Sequence, residues 1–68
     1  MNEDTLNMEI RKFLKKVGIN SQREIERAVQ NAIDEGSLIG SGNLAVKMTL
    51  ELPELDIKHE LDGSLNLG

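Results

Sequence analysis

The spacing of apolar residues changes period once along this chain, and that change constrains the fold more than any single motif. Up to Ile33 the apolar residues recur every three or four positions; from Leu44 onward they alternate. A period near 3.6 belongs to a helix with one buried stripe, and a period of two to a strand with one buried face. The expected fold class is therefore α+β, helices first and strands second, in a single small domain over residues 1–68.

Leu6, Ile10, Phe13, Leu14 and Val17 predict a first helix over residues 4–17, capped by Asn2, Asp4 or Thr5 and ended by Gly18. Ser21-Gln22-Arg23-Glu24 matches a capping box, in which the Ser hydroxyl accepts from the Glu24 amide while the Glu carboxylate reaches back. It predicts a second helix over residues 22–35, carried by Ile25, Ala28, Val29, Ala32 and Ile33 and stopped by Gly36. Two helices joined by a short turn form a helical hairpin or a helix-turn-helix. The segment GSLIGSGN, residues 36–43, reads as a flexible connector in which Leu38 and Ile39 are apolar enough to pack back on the core.

Leu44, Val46, Met48, Leu50 and Leu52 then predict a strand, Pro53-Glu54 a turn, and Leu55, Ile57, His59 and Leu61 a second strand. Pairing Glu51 with Asp56 would set Leu50 opposite Ile57, Met48 opposite His59, and Lys47 opposite Glu60 as an ion pair. Asp62-Gly63 marks a second hairpin leading into a short third strand, residues 64–67. The expected architecture is a helical hairpin followed by a three-stranded antiparallel meander, with the two helices covering one sheet face.

Composition narrows the chemistry. The 68 residues include no cysteine, which removes disulfides, thiolate metal sites and cysteine nucleophiles. Phe13 is the one aromatic residue, so the stacking platforms of single-strand nucleic-acid binders are missing. His59 is the one histidine; it sits at an alternating strand position with no Ser or Cys placed to be its nucleophile, and reads as a packing or rim residue. The acidic group Glu51, Glu54, Asp56, Glu60 and Asp62 matches no calcium-loop spacing and is interrupted by Lys58, which fits a solvated sheet face. Gly36, Gly40 and Gly42 lack the Lys-Ser/Thr of a phosphate loop. No catalytic, cofactor-binding or metal-binding residue is assigned, and neither an enzyme nor a small-molecule substrate is expected.

The net charge of −4 is unevenly placed: residues 1–36 hold six of the eight basic residues. Arg11, Lys12, Lys15 and Lys16 place like charges at i,i+4 helix spacing, a repulsion of a few tenths of a kcal/mol per pair, and Arg23 and Arg27 repeat the arrangement. These six residues are the candidate anion-binding or partner-binding surface. Phe13, Val17, Gly18 and Ile19 resemble the first helix and turn of a DNA-reading motif, but Leu14, Glu24 and Arg27 fall where that motif wants other residues. No stretch reaches the about 20 apolar residues of a membrane span, and the polar start Asn2-Glu3-Asp4 is unlike a signal peptide. A cytoplasmic setting is expected, away from membranes.

The string from Ile10 to Val29 (IRKFLKKVGINSQREIERAV), followed by Gly36-x-Leu38-x-Gly40 and by Glu60-Leu61-Asp62-Gly63, resembles a small family of uncharacterised, mostly proteobacterial proteins. The resemblance spans nearly the whole chain, implies a short bacterial protein, and supplies no functional residue to transfer. The expected function is association with a protein partner or with a second copy. Nucleic-acid or polyanion binding through the basic face is the alternative.

Overall fold

The computed structural model describes residues 1–68 and divides into two compact units, Met1–Leu38 and Ile39–Gly68. The first is one helix, α1 (Glu3–Asp34), and the second a β-hairpin of β1 (Asn43–Leu52) and β2 (Ile57–Asn66) joined by a 3-10 turn, Pro53–Leu55. The secondary-structure classes and their order are those expected. The number of elements is not: there is no helical hairpin and no third strand.

α1 runs without a break through Gly18 and Ser21. A glycine in a helix interior costs about 1 kcal/mol relative to alanine. Ending the helix there would instead expose four carbonyls and, at the restart, four amides. The apolar phase agrees with a continuous helix. Leu6, Ile10, Leu14, Val17, Ser21, Ile25, Ala28 and Ala32 follow steps of four, four and three on both sides of Gly18. A repeat of 11 residues, drifting only about 20° around the axis each time, keeps the stripe within one sector of a single helix, and two independent helices would have no reason to share it. Ser21 occupies a place in this stripe and is half-buried, as are Val17, Ile25, Val29 and Ala32. The capping box is thus not used. Asn20 Nδ2 donates to the Lys16 carbonyl at 2.7 Å, and the Glu24 carboxylate accepts from Arg27 at 3.2 Å. With no turn, the helix-turn-helix reading is overturned.

The ends of α1 match the sequence signals. Asn2 is the N-cap, its Oδ1 accepting from the Thr5 amide at 3.1 Å, and Glu3 and Asp4 favour the positive end of the helix dipole. At the other end Gly36 adopts φ 79°. Its amide donates to Ile33 at 3.1 Å and the Ser37 amide to Ala32 at 2.9 Å, the paired bonds of a Schellman cap. In the connector Leu38 is half-buried, whereas Ile39 is 78% exposed.

The hairpin register pairs Leu52 with Ile57, Leu50 with His59, Met48 with Leu61 and Lys47 with Asp62. Each partner lies two residues further along β2 than expected. A slip of two leaves every side chain on its expected face, because faces alternate with period two. The turn sets the register: Pro53 opens it, and Asp56 closes it in the left-handed conformation at φ 53°, its amide donating to the Pro53 carbonyl at 3.3 Å.

Gly63 lies within β2 opposite Val46, extended rather than turned, so the second hairpin and the strand at 64–67 give way to one ten-residue β2. A ten-residue β1 leaves half its backbone unpaired if β2 stops at Leu61, and continuing the strand satisfies those groups. A Cβ at Gly63 would stand 3.2 Å from Val46 Cγ1, so the missing side chain leaves room for that valine.

Candidate partner-binding surfaces

At 3.6 residues per turn, α1 sorts its basic residues into two groups. Lys12, Lys16, Arg23 and Arg27 fall within about 60° of one another around the axis, along about 22 Å of helix. This row lies nearly opposite the apolar stripe. Arg11 and Lys15 stand apart from it, beside the C-terminal drift of the stripe. The continuous helix therefore brings together four of the six residues singled out from the sequence. Its straightness is what aligns the Lys12-Lys16 pair with the Arg23-Arg27 pair, which a turn at Gly18 would have separated. Arg27 pairs with Glu24 at 3.2 Å with both side chains largely exposed, a bond contributing roughly 0–1 kcal/mol. Lys12, Lys16 and Arg23 form no ion pair.

The apolar stripe of α1 is the second surface. Leu6, Ile10, Phe13 and Leu14 stay exposed, Ile10 at 45% and Phe13 at 56%. No residue in the chain is buried.

The hairpin supplies a third surface, since one face carries Leu44, Val46, Met48, Leu50 and Leu52 of β1 with Ile57, His59, Leu61 and Leu65 of β2. Leu44, Val46 and Leu65 are half-buried, and the other six are exposed. His59 takes its place in this apolar row opposite Leu50. The opposite face is charged. Lys47 stands opposite Asp62 and reaches diagonally to Glu60, Nζ to Oε2 at 3.1 Å, while Glu51 stands opposite Lys58. The ion pair expected between Lys47 and Glu60 is therefore present, as a diagonal contact rather than a directly opposed one. The acidic residues are interleaved with these lysines, and no three His, Asp or Glu side chains gather into a metal-holding group.

The backbone edges of the hairpin form a fourth surface. The Leu67 amide donates to the Gly42 carbonyl at 2.8 Å, just beyond the paired strands. That bond fixes the alternation: Leu44, Val46, Met48, Leu50 and Leu52 exchange bonds with β2, and Lys47, Thr49 and Glu51 turn their N–H and C=O groups outward. On the far edge the same holds for Lys58, Glu60 and Asp62. In a sheet of two strands both edges are open. The signal for the register was the turn itself, because moving it by one residue on each strand moves the partners by two.

A long amphipathic helix followed by a two-stranded hairpin, with exposed apolar rows and open edges, defines a class of small α+β chains whose prominent features are surfaces rather than a pocket. The chain belongs to the family of unknown function DUF6494, whose sequence profile matches residues 1–68. No curated protein and no solved structure matches it. No helix is long and apolar enough to cross a membrane.

Proposed function

We propose that this protein is a non-enzymatic association module that works by joining a second copy of itself, taking no cofactor and no small-molecule substrate. One observation carries the reading: not one of the 68 residues is buried, although 38% of them are hydrophobic and fall on ordered faces. A chain this short relies on nearly all its apolar surface for stability, and association is a common supplement where disulfides and metals are lacking. The stripe on α1 suits its own copy in particular, because two stripes with the same four-four-three repeat stay in step along their length. A bacterial, cytoplasmic setting is part of the proposal.

Sedimentation velocity over a wide concentration range tests it. The expected result is a mass approaching twice 7.6 kDa as concentration rises. Replacing Ile10 and Leu14 by Ser should shift that transition to higher concentration. A monomer mass throughout would overturn the proposal.

A second reading has its own support in the single row formed by Lys12, Lys16, Arg23 and Arg27. It makes the protein a binder of nucleic acid or another polyanion, held by backbone phosphates and insensitive to sequence. Titration of a random DNA duplex at low salt, followed by amide NMR, should then shift residues along that row. The shifts should vanish with added salt and in the Lys12→Glu/Lys16→Glu variant. An unchanged low-salt spectrum removes this reading.

A further inference from the structure

The free edge of β1 is complementary to itself with no like-charged pair, which the registers that pair opposite charges along the β2 edge do not achieve. Its outward-facing backbone groups belong to Lys47, Thr49 and Glu51, following the phase set by the Leu67-to-Gly42 bond. Consider two β1 strands antiparallel about a two-fold axis through Thr49. Thr49 then exchanges hydrogen bonds with Thr49 of the second copy, Lys47 lies opposite Glu51 of the second copy, and Glu51 opposite its Lys47. Each hydrogen-bonded pair uses groups that β2 leaves free, and each charged pair joins opposite signs on the solvated face. On the other face the same register sets Leu50 against the second copy's Met48 and Leu52 against its Val46, so the apolar row continues across the junction. Pro53, which has no amide to donate, falls just past the end of this ladder.

The β2 edge matches itself less fully. Its outward residues in the middle of the strand are Lys58, Glu60 and Asp62, with a net negative charge. A two-fold through Glu60 pairs Lys58 with the second copy's Asp62 but sets two glutamates face to face at the axis, one through His59 pairs Lys58 with Glu60 but sets Asp62 against Asp56 of the turn, and one through Leu61 sets Glu60 against Asp62. Like charges directly opposite are destabilising.

We infer that two copies of this chain join along their β1 edges, with Thr49 on the two-fold axis, to form one four-stranded antiparallel sheet in the order β2-β1-β1-β2. The physical reason is sheet size. An isolated two-stranded hairpin is marginal in water, whereas more strands with a shared apolar face sustain one another. This inference rests on the self-association proposed above and adds to the α1 stripe a second surface, the β1 edge, through which the two copies meet.

The test follows backbone-amide hydrogen exchange by NMR on the full chain at low and high concentration, alongside sedimentation of the same samples. In the dimer the Lys47, Thr49 and Glu51 amides should exchange at least about tenfold more slowly than in the dilute monomer. The Lys58, Glu60 and Asp62 amides should stay fast at both concentrations. A dimer in which the Thr49 amide remains fast would overturn the edge pairing while leaving self-association intact. A monomer at every concentration would overturn both.

Because the chain has no cysteine, single substitutions give an independent check. Under mild oxidation Thr49→Cys should form a disulfide-linked dimer, since directly opposed residues lie within bridging distance, and Asp62→Cys should not. Cross-linking through residue 62 but not residue 49 would count decisively against the β1 edge.

Discussion

At the scale of single residues, two glycines on the same helix carry opposite consequences. Gly18 is interior to α1, and nothing lies within 4 Å of where its Cβ would be. Gly18→Ala should therefore stabilise the chain by up to about 1 kcal/mol, through helix propensity alone. Gly36 holds φ 79° at the Schellman cap, where an L side chain is strained. Gly36→Ala should destabilise by about 1 kcal/mol although its surroundings are equally open. Urea unfolding followed by far-ultraviolet circular dichroism separates the two. If Gly18→Ala destabilises instead, the helix is not continuous at that point. The sequence identifies Gly36 correctly and Gly18 wrongly because a glycine marks a stop only where the apolar phase also ends. The stripe ends near Ala32 and passes straight through Gly18.

At the scale of elements, the ends and the turns decide more than the middles. Asn2 supplies the N-cap of a helix whose first turn already holds Glu3 and Asp4, so Asn2→Ala should remove about 1 kcal/mol of stability by the same measurement. In the hairpin, Asp56 in the left-handed region fixes which residues face one another. Asp56→Gly should be tolerated with the register intact, while Asp56→Val should cost on the order of 1–2 kcal/mol because a β-branched side chain resists that conformation. Cross-strand NOEs between Leu50 and His59 would report whether the register survives. Alternation in the sequence revealed both strand faces, including the place of His59 in the apolar row. It could not reveal the register, since pairings two residues apart present the same faces. The second hairpin at Asp62-Gly63 was expected from a turn-forming dipeptide, yet alternation continues through Gly63 to Leu65 and Leu67, and the length of β1 calls for a partner there.

At the scale of the whole molecule, the absence of any buried residue turns stability into a question of concentration. A protein that folds with its own copy unfolds at a midpoint that rises with protein concentration. Thermal unfolding of this chain should shift upward across a hundredfold concentration range, and an invariant midpoint would speak for a self-sufficient monomer. The sequence by itself determined the class of each half, the ends of the helix, the faces of the strands and the six basic residues of interest. These are local quantities, set by the phase of apolar spacing, by capping side chains and by residue charge. Only the tertiary structure decided that the first half is one helix, that the hairpin has two strands in its particular register, and that Lys12, Lys16, Arg23 and Arg27 form one row. Those outcomes depend on satisfying backbone groups over long segments. A carbonyl at Lys16 or an amide in β1 finds its partner according to what the whole element does, and a local motif such as a capping box or an Asp-Gly pair gives way when the longer arrangement leaves fewer such groups unpaired.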